Sequence, residues 1–226
     1  MKDISARTVG IIHAALITTK AVQPYIDSVL PQVKIVHHVD DSIQNSNFAC
    51  KPGIIPKENF YKFTSYAHNL ELAGVDIILL ACSTFNQAVE FARPMINTPM
   101  LQIDRPMMDL AVLEGRKIGL LATVPTTIPA SERLLRLAAH DAGKQVDITT
   151  RLCSEAFLEI KKGNIENHNN LLMKEIESLS KTVDAIVLAQ LSMSALEPML
   201  GSVNVPIFNS GRTGFTRVRE MLQAME

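Results

Sequence analysis

The sequence predicts an α/β fold with two pseudo-symmetric lobes, each a small doubly wound parallel sheet, and a functional site in the cleft between them. The chain repeats itself, its apolar runs are short and continuous, and longer stretches with helical spacing separate those runs. Continuous apolar runs are typical of strands buried on both faces of a parallel sheet. Strands that alternate with helices predict βαβ units with right-handed crossovers.

The internal repeat consists of three segments that recur in the same order. RTVGIIHA, which begins at Arg7, recurs as RKIGLLAT from Arg116. VDIILLACS, from Val75, recurs as VDAIVLAQL from Val183, and TPMLQI, which follows it, recurs as VPIFNS. The separation between the copies is nearly the same for all three segments, which indicates two half-chains of one design. We therefore expect a first lobe over residues 1–113 and a second over 114–213, with a C-terminal helix at about 214–226 packing back on one lobe.

Helical spacing of apolar residues marks the connections between the predicted strands. The clearest stretches are Lys57 to Ala73, Ile128 to Ala142 and Asn167 to Lys181. Gly74 and Gly143 follow the first two, where glycines that end helices are expected.

Composition excludes several classes of protein. Apolar residues make up 47% of the chain and charged residues 20%, which excludes a disordered chain. The net charge is -1 and no basic stripe carries interleaved aromatic residues, so we expect no nucleic-acid partner. No apolar stretch approaches the length of a membrane span, so we expect no membrane partner and a cytoplasmic location. Cys50, Cys82 and Cys153 are odd in number and widely spaced, which predicts reduced thiols.

Ligands of open α/β sheets bind beyond the carboxyl ends of the strands, so the residues that follow each apolar run are the candidate site. These residues are His13, Asp41, Cys82, Ser83, Thr84, Asn86, Thr123, Thr126, Thr127, Gln190 and Ser192. Cys82 precedes FNQAVEFA, a predicted helix whose positive end favours a thiolate. The alternative is that Cys82 is a small buried apolar side chain.

Hydroxyl groups in both lobes are placed to hold a carboxylate. Ser83 and Thr84 in one lobe and Thr123, Thr126 and Thr127 in the other supply such groups near free helix amides. Capping of the helix that begins near residue 128 is an equally good role for Thr126 and Thr127.

Neither a metal nor a nucleotide cofactor is predicted. His37, His38, Asp40 and Asp41 have ligand chemistry, but adjacent side chains on a strand point to opposite faces. No glycine-rich phosphate loop of the GxGxxG or GxxxxGK[ST] type is present in the sequence. His140 and His168 are expected at the surface.

Five segments together resemble the aspartate/glutamate/hydantoin racemase superfamily, over a region from Val9 to about Asn209. They are ACSTFNQ, HVDDSI, QIDRPMMDLAV, IGLLATVPTT and VLAQLSM. The resemblance implies two α/β lobes around a cofactor-independent active site, and a small carboxylate substrate whose α-proton is moved by thiols.

The resemblance also implies roles for individual residues. In that superfamily each lobe supplies one catalytic cysteine; Cys82 matches the first, and Gln190 occupies the position of the second. The positions that match substrate-carboxylate contacts are Ser83, Thr84, Thr123 and Thr127, and Ser192 follows the substituted position. Asn86 and Asp41 complete the expected substrate-binding set by their places at strand ends.

An amide is neither an acid nor a base at neutral pH, so the sequence leaves three interpretations open. His13 replaces the missing acid, or Cys82 works alone while Gln190 donates a hydrogen bond to an enolate oxygen, or the protein binds a carboxylate without turnover. We expect a racemase or isomerase that acts next to a carboxylate of a small amino or dicarboxylic acid. A one-cysteine decarboxylase, lyase or cis-trans isomerase and a non-catalytic binding protein are the alternatives.

Two further expectations concern the cysteines and the assembly. Cys82 is expected to be the one essential cysteine, because Cys50 and Cys153 match no catalytic position. The resemblance and the methionine-rich stretch Met95 to Met108 favour a homodimer.

Overall fold

Two parallel four-stranded sheets with equivalent strand orders, β2-β1-β3-β4 and β6-β5-β7-β8, form the framework of the computed structural model, which describes residues 3–225. The elements of the first half are β1 (Thr8–His13), α1 (Ile17–Val29), β2 (Lys34–Val39), α2 (Asp41–Phe48), α3 (Lys57–Leu72), β3 (Ile77–Leu80), α4 (Ala88–Ala92) and β4 (Met100–Gln102). Those of the second half are α5 (Arg105–Glu114), β5 (Lys117–Ala122), α6 (Thr127–Asp141), β6 (Asp147–Leu152), α7 (Ser154–Lys161), α8 (Ile165–Leu179), β7 (Ala185–Leu188), β8 (Ile207–Asn209) and α9 (Ser210–Ala224). A 3-10 segment, Leu191–Ser202, follows β7. The predicted α/β fold with two lobes is confirmed.

The central strands explain why the apolar runs are continuous. Every residue of β3 and of β7 is buried, because helices cover both faces of each sheet. The edge strands β2 and β6 contain no fully buried residue. Parallel pairing brings the carboxyl ends of β1, β3 and β4 to one edge of the first sheet, and those of β5, β7 and β8 to one edge of the second.

The helices that follow the last strand of each half pack against the other half. In α5, Met107, Met108, Ala111 and Val112 lie in the core of the second sheet. In α9, the residues Phe215, Val218 and Leu222 lie in the core of the first sheet. The expected boundary near residue 113 places α5 with the first lobe, and its packing corrects that assignment. The C-terminal helix packs back on the first sheet and begins at Ser210, earlier than expected; residue 226 lies outside the described residues.

The three predicted helices are confirmed as α3, α6 and α8, with small shifts of their bounds. FNQAVEFA does not form one helix, because residues 84–87 are turns and α4 begins at Ala88. His168 is buried in α8, so its expected surface position is wrong. No helix of residues 3–225 is long and apolar enough to span a membrane.

Candidate active site

A cavity of about 380 Å³ is formed by residues that directly follow four strands, two in each sheet. Ala14 and Ala15 follow β1, residues 81–84 follow β3, Thr123 and Val124 follow β5, and residues 190–192 follow β7. The rule that ligands bind at the carboxyl ends of parallel strands thus locates this cavity.

Seven of the predicted site residues line this cavity. They are Cys82, Ser83, Thr84, Thr123, Thr127, Gln190 and Ser192. Cys82 is the second residue beyond β3, and Gln190 is the second beyond β7, so they occupy equivalent strand ends in the two sheets. Of the three cysteines, all of which are within the described residues, Cys82 alone lines the cavity.

The Cys82 residue is half-buried, and its thiol has a raised pKa. Burial raises its pKa to about 12, and the nearby Asp104 carboxyl adds to this effect. The backbone N–H groups of Phe85 and Thr84 lower the pKa but do not outweigh burial. The expectation of a better thiolate is therefore wrong for the free protein, because burial of the thiol outweighs the effect of the N–H groups in the turn that follows it.

Gln190 is fixed in one orientation by the lobe to which it belongs. The N–H of Thr123 donates to Gln190 Oε1 at 2.6 Å, and the Thr123 hydroxyl donates to the same oxygen at 3.0 Å. A backbone N–H can only donate, so it identifies the accepting atom as the amide oxygen. Gln190 Nε2 has no hydrogen-bond partner within residues 3–225, and both of its N–H groups are available to a ligand in the cavity.

Thr84 and Thr127 connect the two lobes at the cavity wall, with their hydroxyl oxygens 3.2 Å apart. Lys161 of α7 is a cationic residue that lines the same cavity, and its Nζ lies 4.7 Å from the centre of the Phe157 ring. The rest of the wall is mainly apolar, with Ile17, Phe48, Phe157, Ile160 and Leu191. This arrangement combines hydroxyl, amide and ammonium groups with a mainly apolar wall.

His13 does not line the cavity, which corrects its expected role as a catalytic acid. Its side chain is fully buried, with Nδ1 2.7 Å from Thr18 Oγ1 and Nε2 2.9 Å from His37 Nδ1. The Thr18 hydroxyl donates its single proton to the Ala15 carbonyl oxygen at 2.7 Å, so His13 Nδ1 must be the donor to Thr18. Burial, together with His37, lowers the pKa of His13 to about 4. A neutral imidazole with both nitrogens engaged is no proton donor at pH 7.

Asn86 and Asp41 are also absent from the lining of this cavity. Asn86 is buried, and it donates to the Ala130 carbonyl oxygen at 3.2 Å and accepts from Arg133 Nη2 at 3.1 Å. Its amide is thus used to join the two halves of the chain. Asp41 is exposed at the start of α2, after Asp40 has capped that helix. These geometries correct the expectation that both bind substrate.

Asp104 is a buried carboxyl group that the sequence analysis did not single out. Burial raises its pKa to about 7, although the Ser83 and Ser210 hydroxyls lower it. Neither carboxyl oxygen makes a hydrogen bond of normal geometry within the described residues. Its position two residues beyond β4 is a strand-end position, so the rule that identified Cys82 also applies to Asp104.

Thr18 and Lys161 also line the cavity without having been predicted. Thr18 lies in the first turn of α1, close to the end of β1. Lys161 ends α7, and no local sequence signal indicates that this helix reaches the cavity. Among residues 3–225, no group of three or more His, Cys, Asp or Glu side chains is arranged to hold a metal ion.

Comparison with known proteins gives one family and a set of similar folds. The family model described as Asp/Glu/Hydantoin racemase matches residues 56–218. The glutamate racemase of Trichodesmium erythraeum (strain IMS101) is 25% identical over 135 residues, which are 58% of this chain and 49% of that protein. The match thus spans about half the length of this curated relative.

Three solved structures illustrate the similarity of fold. An aspartate racemase homologue from Pyrococcus horikoshii OT3 has a TM-score of 0.71 at 20% identity, covering 96% of this chain and 99% of that one. The Picrophilus torridus aspartate racemase has a TM-score of 0.70 at 17% identity, covering 95% and 94%. Allantoin racemase from Klebsiella pneumoniae has a TM-score of 0.66 at 16% identity, covering 96% and 86%.

Proposed function

The chain belongs to the Asp/Glu/hydantoin racemase family, and from this premise we propose a cofactor-independent isomerase that moves a proton at the carbon next to a carboxylate. Its substrate is a small amino or dicarboxylic acid, and Cys82 is the group that exchanges the proton. The observation that carries the proposal is the pairing of Cys82 with Gln190 at equivalent strand ends of one cavity.

Gln190 supports proton transfer without taking part in it. Because Thr123 holds the amide oxygen, the Nε2 group is free to donate to a carboxylate oxygen of the substrate. When the α-proton leaves, negative charge develops on that carboxylate as it becomes an enediolate, and a fixed donor stabilises this charge. The Lys161 ammonium adds a positive charge at the same cavity.

The chemical step is a transfer between carbon and sulfur. The Cys82 thiolate accepts the α-proton while the C–H electron pair moves into the carboxylate. The resulting thiol returns a proton to the same face, which gives exchange with retention, and inversion occurs when water protonates the opposite face of the enediolate. With a thiol pKa of about 12, only about one molecule in 10⁵ carries the thiolate at pH 7. An isomerase of this kind therefore gains about tenfold in kcat/KM for each pH unit above 7.

Exchange in deuterium oxide tests the proposal directly. Aspartate and glutamate, the amino acids in the names of the relatives, are incubated with the protein, and loss of the α-proton NMR signal is followed alongside chiral chromatography. With one thiol, exchange is expected to be faster than inversion of configuration. Cys82→Ala should abolish exchange, and the matched Cys153→Ala should retain it. Equal loss in both folded variants would contradict the role of Cys82.

A one-cysteine decarboxylase is the second candidate, because it uses the protonated form of a thiol whose pKa burial raises. Loss of carbon dioxide from a malonic acid leaves an enediolate, to which the neutral thiol of Cys82 gives its proton. This reaction needs the thiol, so its kcat/KM stays constant from pH 7 to about 10. Release of carbon dioxide from 2-substituted malonates, with that flat profile, would select this candidate. Thermal stabilisation by these acids without exchange or gas release would contradict both candidates.

A further inference from the structure

The two helices that follow the edge strands line the cavity that contains Cys82, one from each half of the chain. Each helix has eight residues, α2 after β2 and α7 after β6. The fourth and eighth residues of both helices line the cavity, namely Gln44 and Phe48 of α2 and Phe157 and Lys161 of α7. Residues four apart lie on one face of a helix, so the two helices turn equivalent faces toward the cavity.

Lys161 gives the wall of this cavity a positive charge. Its Nζ lies 4.7 Å from the centre of the Phe157 ring, whereas the adjacent Lys162 forms the ion pair with Glu159, at 2.7 Å. Among the described residues, Lys161 is the one charged side chain that lines the cavity. A ligand in the cavity therefore meets a positive potential, which favours an anion.

Acidic side chains lie on the elements around this cavity, but within residues 3–225 none of them lines it. Asp104 is fully buried, and its carboxyl interacts with the hydroxyl of Ser83, which does line the cavity. The acidic residues of the two short helices are Asp41, Glu155 and Glu159. A ligand in the cavity thus meets hydroxyl and amide groups rather than a carboxylate.

Such a cavity disfavours an ammonium group on the substrate. Aspartate and glutamate carry this group on the carbon whose proton is transferred, so it must enter the cavity together with that carbon. There it loses water, and the amide oxygen of Gln190 is already bonded to Thr123. The remaining hydroxyl and amide oxygens are neutral acceptors, whose hydrogen bonds are weaker than those of a carboxylate. The positive charge of Lys161 adds repulsion.

The wall of the cavity is instead suited to an apolar group. Phe48, Phe157, Ile160 and Leu191 supply apolar surface from both halves of the chain. We propose that the substrate is a carboxylic acid whose reacting carbon bears an apolar group in place of an ammonium group. This inference rests on the proposed proton transfer at Cys82, and it narrows the proposed substrates to acids without an amino group.

Titration calorimetry at pH 7 with aspartate, succinate and 2-methylsuccinate tests the inference. The three acids share a chain of four carbons with a carboxylate at each end, and they differ in carrying an ammonium group, a hydrogen or a methyl group next to one carboxylate. We expect 2-methylsuccinate to bind at least tenfold more tightly than either enantiomer of aspartate. It should also bind about fourfold more tightly than succinate, which corresponds to about 0.8 kcal/mol for one buried CH₂.

Three variants show whether the preference depends on the charge of the cavity. Lys161→Met should weaken binding of 2-methylsuccinate at least fivefold and of aspartate less, because aspartate has the smaller net negative charge. Lys162→Met is the matched control, since this lysine does not line the cavity, and it should bind all three acids as the wild type does. Gln44→Glu adds a carboxylate to the lining and should lower the preference for 2-methylsuccinate over aspartate at least fivefold.

Three outcomes would overturn the inference. They are equal or tighter binding of aspartate by the wild type, no binding of 2-methylsuccinate at millimolar concentration, and an unchanged preference in both Lys161→Met and Gln44→Glu. Exchange in deuterium oxide reports separately on the proposed function. The expected binding preference without exchange of any of these acids would contradict the isomerase but not the ligand class. Exchange of aspartate without exchange of 2-methylsuccinate would contradict the ligand class but not the isomerase.

Discussion

Gln190 stands at the end of β7 with its amide oxygen already bonded to Thr123, so only its nitrogen can serve a ligand. Gln190→Ala removes that donor and is expected to lower turnover by about 100- to 1000-fold. Gln190→Glu keeps the bonds to Thr123 but replaces the donor with a second acceptor, so it should weaken substrate binding as well. Steady-state kinetics on the α-exchange reaction measure both effects.

Gln190→Cys distinguishes a two-thiol racemase mechanism from a mechanism that uses Cys82 alone, because Gln190 occupies the position of the second cysteine. A racemase that lacks only its second thiol should gain α-proton exchange in this variant, whereas a one-sided mechanism should lose native activity. We expect the loss, because Gln190 is held in place by two hydrogen bonds rather than left without partners. Unchanged activity and affinity in Gln190→Ala would contradict both mechanisms.

Asp104 makes stability depend on pH in the direction opposite to most carboxyl groups. Its pKa rises from an ordinary 3.8 to about 7 on folding, so the folded protein holds a proton that the unfolded chain releases between these values. Stability therefore falls as pH rises from about 4 to 7, and the loss persists above pH 7. Asp104→Asn should remove this dependence and stabilise the protein at pH 8 by up to about 4 kcal/mol.

Urea denaturation at pH 5 and pH 8 measures the effect of Asp104→Asn. Asp27→Asn, at an exposed carboxyl group of α1, is the matched control. An equal difference in unfolding free energy between pH 5 and 8 in the wild type and in Asp104→Asn would contradict the prediction.

At the scale of the elements, one glycine in the middle of each first strand lets a helix approach the sheet closely. A Cβ on Gly10 would lie 2.8 Å from Leu70 Cδ1 of α3, and a Cβ on Gly119 would lie 2.5 Å from Leu179 Cδ2 of α8. The repeated segments RTVGIIHA and RKIGLLAT thus share a glycine because both sheets are packed by a leucine at the same place.

Gly119→Ala should destabilise the protein, because the new methyl group overlaps a buried leucine. The expected cost is about 1–3 kcal/mol, as for other overpacked cores. Gly201→Ala is the control, since a Cβ there meets no atom within 4 Å. Thermal melts of the two variants compare them, and equal melting temperatures would show that Leu179 can move aside at little cost.

The sequence predicted correctly those elements whose apolar pattern follows from burial within their own sheet. Continuous apolar runs identified β3 and β7, and the strand-end rule identified Cys82 and Gln190. FNQAVEFA failed as a helix because Asn86 turns inward to Ala130 and Arg133, which belong to the other half of the chain. Contacts that cross between halves leave no periodic signal, and for the same reason the approach of Lys161 to the cavity could not be predicted.

At the scale of the whole molecule, the homodimer remains a prediction, and the structure removes most of the methionine-rich stretch from its support. Met107 and Met108 are buried in the core of the second sheet, so they cannot contact a partner subunit. Met95 and Phe91 remain exposed on the first half, beside Tyr61. Of the methionines in that stretch, Met95 is therefore the one that remains exposed for contact with a partner subunit.

Because α5 packs on the second sheet and α9 on the first, the packing of these two helices determines which fragments of the chain can fold. Each sheet is completed by the helix that follows the last strand of the other, so a cut at the repeat boundary exposes both cores. A fragment of residues 114–213 contains the second sheet without α5, and a fragment of residues 105–213 contains it with α5. The second fragment should be the more stable, because Met107, Met108, Ala111 and Val112 are fully buried against that sheet.

Burial of a large apolar side chain contributes about 1.5–3 kcal/mol, so Met107, Met108 and Val112 together contribute about 5–9 kcal/mol, which is comparable to the total stability of a small domain. We therefore expect fragment 105–213 to show a cooperative melt by circular dichroism and fragment 114–213 to show none. The control is the full chain, whose two halves should unfold in a single transition because each holds a helix of the other. Identical melts of the two fragments would mean that the second sheet is stable without α5. The repeat boundary would then also be the boundary of an independently folding domain.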